Sequence, residues 1–374
     1  MLSYLKTAIS RLRMNFANDG VTAEEIESMV KRDHFSKLLP YRAYDTEDHY
    51  YVNVDDSYGL LWEVVPLVYA SPESYGGVEQ IIKNVPMGST VQVILHADPY
   101  VDPIVEEYLA LRDHLTDDDA AAMAAQTASL FKNAATSGFD KVGRIPSRNF
   151  RCFVAVKLFL KDGFDSDAKF LRDSIQEVLK GAGLSPRQMD PQALCAWMQR
   201  LFNDEEDLPS PGAWKYNPNR PINEQIIFHG TPTKVGFDHI QLGSEKHIST
   251  QTLMDYPTES LNDLTLNEVM GGIWGPRDDG NQCDFPFLVS VSIITADLAH
   301  LFHGKANAMM VQDKRGSGAG FKMEKQNELA WAATETDRGE RFVRVIPTLL
   351  TISKNRKRAS ENTARARRLW ESQG

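Results

Sequence analysis

The sequence predicts an α/β protein of two lobes, each a mixed sheet covered by helices. Three observations carry that expectation. Short runs of β-formers such as Tyr58–Leu67, Val91–Leu95 and Phe150–Leu160 alternate with helix-periodic segments. The chain has 374 residues, enough for roughly two cores of ordinary size. Its 42% hydrophobic and 25% charged composition is that of globular domains rather than of a disordered chain or a rod.

In chain order, Leu2, Leu5, Ile9, Leu12 and Phe16 recur at three- and four-residue spacing, with Lys6, Arg11 and Arg13 between them. This marks residues 1–36 as a basic amphipathic helix and arm. The helix either docks on the protein's own core or rests on a membrane surface or a partner. Three cations near an anionic leaflet contribute about 3 kcal/mol, too little to anchor alone.

The first lobe is expected over 37–202. The turn-prone segment 53–57 leads into a strand, and Gly76-Gly77 leads into a short helix through Ile81 and Ile82. The strand Val91–Leu95 then completes a β-α-β unit. Pro103 suits the first turn of a helix, and the acidic run Asp117–Asp119 caps an Ala-rich helix to Ala134. A buried strand and a helix ending at Gly181 and Gly183 follow.

Residues 203–236 read as an irregular connector, acidic at first and then broken by Pro209, Pro211, Pro218 and Pro221. The second lobe, 237–374, offers strands at 237–242, 247–253, 285–294 and 342–352. It also offers helices near 264–270 and 296–334 and a terminal basic helix. Its order of elements replays the first lobe, which suggests a duplication at the level of fold.

The chemistry is mostly negative. No G-x-x-x-x-G-K-[ST] string occurs, and Gly316–Lys322 has the wrong spacing for a phosphate loop. His300 and His303 with Asp297 lack a third metal ligand, so neither metal nor cofactor is expected. Cys152, Cys195 and Cys283 lie far apart, which excludes a disulfide framework and points to a reducing compartment. No window reaches about 20 consecutive apolar residues, so a cytoplasmic protein is expected. His96 and His114 could face a cleft, and with Asp56 could form a scattered enzyme site; Asp55-Asp56 otherwise make a turn. The tail cations Lys354, Arg356, Lys357, Arg358, Arg365, Arg367 and Arg368 suggest a nucleic-acid contact, or a solvated helix against an acidic neighbour. The net charge of −10 argues against a surface built to coat nucleic acid.

Leu39-Pro40-Tyr41, Asp55-Asp56-Ser57-Tyr58-Gly59 and Glu63–Leu67, followed by Pro221–Gln225, Asp284–Phe287 and Ala364–Glu371, resemble in order the N-terminal region of TraC-type conjugative secretion ATPases. These belong to the VirB-type family. The resemblance runs from about residue 38 to the end. It implies an N-terminal docking and assembly module, serving pilus assembly and DNA transfer, that links a hexameric motor to the inner-membrane part of a type IV secretion channel. It also implies peripheral attachment to the inner membrane and self-association of the longer protein. ATP would bind only in a C-terminal motor domain, which the family carries and this sequence stops before. Two further expectations stand beside it: a free-standing enzyme with an unrecognised site, and a truncated paralogue that tempers the motor by co-assembly.

Overall fold

The computed structural model describes residues 35–66, 72–114, 117–139, 146–159, 165–210, 212–253, 283–295, 319–338 and 340–371. The expected N-terminal helix with Lys6, Arg11 and Arg13, the helix near 264–270, and Asp297, His300 and His303 lie outside them. Among the described residues eleven strands form one sheet. They are β1 (Tyr41–Asp45), β2 (Tyr50–Asn53), β3 (Tyr58–Val64), β4 (Thr90–Asp98), β5 (Asn149–Leu158), β6 (Arg187–Gln188), β7 (Thr233–Val235), β8 (Ile240–Leu242), β9 (Lys246–Thr252), β10 (Phe287–Thr295) and β11 (Val343–Ser353). The helices described are α1 (Pro72–Asn84), α2 (Asp102–Ala110), α3 (Asp118–Ser137), α4 (Asp165–Gly181), α5 (Pro191–Phe202), α6 (Asn223–Ile226), α7 (Ala319–Asp337) and α8 (Arg356–Glu371).

The α/β class is observed, with two differences in the sheet. Strands of both expected lobes share one sheet, and every pairing is antiparallel, in the order β1-β2-β3-β5-β4-β10-β11-β9-β8-β7 with β6 against β3. The join is β4 against β10, from Thr90↔Ile294 to Ala97↔Phe287. Both strands present apolar side chains at matched positions, Val91, Val93 and Leu95 opposite Ile293, Val291 and Val289. Separate sheets would leave two long apolar edges with unpaired amides, which pairing removes.

The expected β-α-β unit exists as β3-α1-β4, but β5 lies between its strands and runs antiparallel to both. It is a split crossover. The order of strands reads the same from either edge. The first half runs first-second-third-fifth-fourth, and the second half, counted from β7, mirrors it across the β4–β10 seam. This is the fold-level duplication that the order of elements suggested.

Alternation along the strands buries both faces. On one face Leu60, Trp62, Val64, Val91, Val154 and Val156 meet Ile81 of α1, Val85 just beyond it, and Leu171, Ile175 and Leu179 of α4. On the other, Leu61, Ile94 and Phe153 meet Leu194, Trp197, Met198 and Leu201 of α5. Across the seam, Ala366 and Trp370 of α8 pack on Phe287, Val289 and Leu349. Pro347 sits inside β11, yet the last β9 pair is Thr252↔Thr348. Its missing N–H therefore falls where no β9 carbonyl waits.

Gly76-Gly77 does not precede α1 but lies within it, because α1 crosses α4 there at close range. A Cβ on Gly77 would stand 2.9 Å from the Ala182 Cβ. Gly77→Val is expected to cost about 1–3 kcal/mol through overpacking, read as a lower urea midpoint at unchanged m-value. An unchanged midpoint would show that the two helices have room to separate.

Candidate functional site

The family-like motif Asp55–Gly59 forms the β2–β3 turn. Asp56 takes a positive φ of 60°. Asp55 accepts from the Ser57 hydroxyl at 2.6 Å and from Lys157 Nζ at 2.6 Å, and Asn53 N donates to Ser57 O at 2.9 Å. Burial opposes ionisation of Asp55, but Lys157 and Ser57 outweigh it and hold the carboxyl below the usual range. At Gly59 a Cβ would meet the Tyr51 Cβ at 3.2 Å. The motif closes a hairpin, with Asp55 clamped and Asp56 79% exposed.

The scattered enzyme site does not assemble. Tyr58 pairs with Leu158, and Thr90 with Lys157, so Asp56 lies at the sheet end where β4 begins. His96 is six residues farther along β4, about 20 Å away. His114 stands exposed in the turn after α2. The thiols are equally unsuited to attack, since burial pushes Cys152 up to about 11 and both Cys195 and Cys283 to about 12. Among the described residues no His, Cys, Asp and Glu cluster could hold a metal ion.

A cleft of about 1050 Å³ opens instead at the seam. Its walls come from the ends of β4 and β11, the starts of β9 and β10, one face of α8, the ends of α3 and α5, and the loop around Arg148. Sequence reading placed four of its residues, Lys354, Arg358, Arg365 and Arg368, in a basic tail; α8 turns the three arginines inward, and Lys354 enters from the end of β11. Arg356, Lys357 and Arg367 lie outside the lining. The tail is therefore two sets of cations, not one.

The sequence reading missed Arg148, Arg200 and Lys246, which belong to no charged run. Arg148 donates to the carbonyls of Ala135 at 2.6 Å and Asp284 at 2.9 Å, and burial pushes its pKa down to about 10 despite Asp284 and Asp98. Arg200 lies 3.4 Å over the Tyr100 ring. Burial lowers Lys246, with Glu205 acting the other way. The acids are largely engaged: Asp102 with Lys132 at 2.8 Å, Asp284 with Arg365 at 2.8 Å, and Glu205 with Lys354 at 3.6 Å.

His96, 2% exposed, lies at the cleft floor. Trp197 Nε1 donates to its Nδ1 at 3.1 Å, and Trp197 itself stacks on Phe153 at 4.0 Å. Because an indole only donates, the neutral imidazole carries its proton on Nε2. That atom has no protein partner among the described residues. Helix α5, which supplies Trp197 and Arg200, was absent from the sequence reading. Its signal was present: Asp190 caps Ala193 N at 2.8 Å, Pro191 opens the helix, and Leu194, Trp197, Met198 and Leu201 repeat at helical spacing.

Burial lowers the His96 pKa from 6.5 to about 4, against the pull of Asp98. A group depressed on folding contributes stability above its unfolded pKa and loses it as pH falls toward the folded one. The protein is expected to lose about 3 kcal/mol between pH 6.5 and about 4 from this residue. In His96→Gln, urea midpoints measured across that range would fall less steeply; an identical slope would discount the imidazole.

Among the described residues no helix is long and apolar enough to cross a membrane. The family profile described as TraC protein matches residues 35–374. Protein TraC of Escherichia coli (strain K12) is 21% identical over 312 residues, covering 79% of this chain and 34% of that relative. The chain thus spans about a third of the length of the curated relative it matches. With the profile covering nearly the whole chain, including the hairpin motif and the seam strands, the protein belongs to the TraC family.

Proposed function

We propose that this chain works in conjugative type IV secretion as a docking and assembly module. In this reading it connects the motor of a secretion ATPase to the inner-membrane channel complex, serves pilus assembly and DNA transfer, and sits on the cytoplasmic side, peripheral to the inner membrane. The longer assembly self-associates, and ATP binds in the motor rather than here.

The observation that carries the reading is the α2–α3 pair. These helices pack on each other through Val101, Val105, Ala128 and Ala135. Their outer stripes stay open: Ile104 and Leu111 beside α2, with Leu111 66% exposed, and Met123 and Leu130 on α3, with Met123 69% exposed. Exposed apolar side chains concentrated on one helix pair point to a protein interface. Family membership supplies the kind of machine.

The test is co-purification of the chain with inner-membrane channel components, together with conjugation frequency. Met123→Asp with Leu130→Asp is expected to weaken binding about thirtyfold or more and to abolish DNA transfer at an unchanged melting temperature. Wild-type binding by that variant would refute docking through this face.

A further inference from the structure

We propose that the seam cleft binds a small phosphorylated ligand, a compact polyanion of the pyrophosphate class, through Arg148, Arg200, Lys246, Arg358 and Arg368, with His96 donating from the floor. The proposal stands apart from the docking reading and does not need it.

The charges of the lining do not balance internally. Among the described residues, Asp102, Asp284, Glu205 and Glu361 each have a cation within ion-pair distance: Lys132, Arg365, Lys354 and Lys357. None of the five cations named in the proposal has a carboxylate of a described residue within that distance. Against them stand Asp98, which accepts from Tyr100 N and lies 3.7 Å from His96, and Glu245. Because Lys357 lies outside the lining, two positive charges remain in excess there, in a concave site whose walls focus the field.

Helix α8 sharpens the imbalance. Its first turn holds Arg356, Lys357 and Arg358 and no acid, at the end where the helix dipole is itself positive and disfavours cations. Asn355 caps the helix by accepting from Arg358 N at 2.9 Å, and the Arg358 side chain lines the cleft wall. A bound anion would relieve both the dipole and the crowded cations.

The donor types select the anion. Four of the five cations are arginines, whose planar fork matches phosphoryl oxygens. The Nε2–H of His96 adds a neutral donor that lacks an acceptor. Arg148 is fixed by three carbonyl bonds, so its charge is positioned before any ligand arrives. A single nucleic-acid strand fits less well. Arg200 covers one face of Tyr100, and Trp197 is buried against Phe153, so these rings offer little surface on which a base could stack. The chain's net charge of −10 also repels a long polyanion while leaving a small one free to enter.

The experiment is calorimetric titration of the full chain with pyrophosphate. Saturable binding is expected, weakened about tenfold or more in Arg358→Ala with Arg368→Ala. Arg356→Ala with Arg367→Ala, on the same helix but outside the cleft, is expected to bind as the wild type does. All four positions are exposed, and a matching near-ultraviolet circular dichroism spectrum checks that the fold is retained. Absence of saturable binding in the millimolar range, or equal losses in the two variants, would overturn the proposal. Tighter binding of an oligothymidylate or of a glutamate-rich peptide, dependent on Arg358 and Arg368, would overturn it too and assign the cleft to nucleic acid or to an acidic protein segment.

Discussion

The pairing of β4 with β10 is the constraint on which the rest of the structure depends. Eight residue pairs join strands almost two hundred positions apart in the chain. At one end of the seam Thr295, fully buried, fastens the join: its N–H donates to Ser89 O at 3.0 Å, its hydroxyl reaches the same carbonyl, and Gly88 N returns a bond to Thr295 O at 2.8 Å. At the other end, where Ala97 meets Phe287, the strands diverge into loops and leave room for side chains. The closed end sets the register. The open end becomes the cleft.

That origin explains why the cleft is charged. Backbone leaving a strand end must be satisfied by something, and here side chains do part of the work, as with Arg148 on three carbonyls and Asp204 on the amides of Ser244 and Glu245. Helix α8 is fixed from below by Ala366 and Trp370, so its opposite face, with Arg358, Glu361, Arg365 and Arg368, is held toward the opening. The first half contributes His96 and Arg200 and the second contributes Lys246 and α8. Neither half holds the site alone, so any ligand there would read whether the two are correctly joined.

How much of this was legible in the sequence depended on whether the determining interaction was local. The seam strands β4, β10 and β11 and the central β5 announced themselves as apolar runs, and Asp117 at the N-terminus of α3 behaved as its position indicated, accepting from Asp119 N at 3.0 Å. Strands β1, β2 and β7 are short and carry polar or aromatic residues without clear alternation, so they rely on neighbours for their conformation. Gly76-Gly77 read as a break, because a glycine required by a crossing helix looks the same in sequence as one required by a turn. The two-fold order of strands was half visible, in the succession of elements, but antiparallel partners so far apart leave no mark on each other. The cleft shows the same division: the run at Lys354–Arg358 stood out, whereas Arg148, Arg200 and Lys246 were single charges whose convergence only the fold creates.

The mirrored sheet also has a bearing on how the chain is made. As the ribosome releases the first half, β4 becomes an outermost strand with one side bare, and it remains so until β10, some two hundred codons later, is available to cover it. A long apolar edge held open over that interval invites pairing with the same edge of a neighbouring nascent chain. The late arrival of β10 is thus the step at which correct assembly competes with mutual capture between chains. A protein made in many copies at one place would feel that competition most.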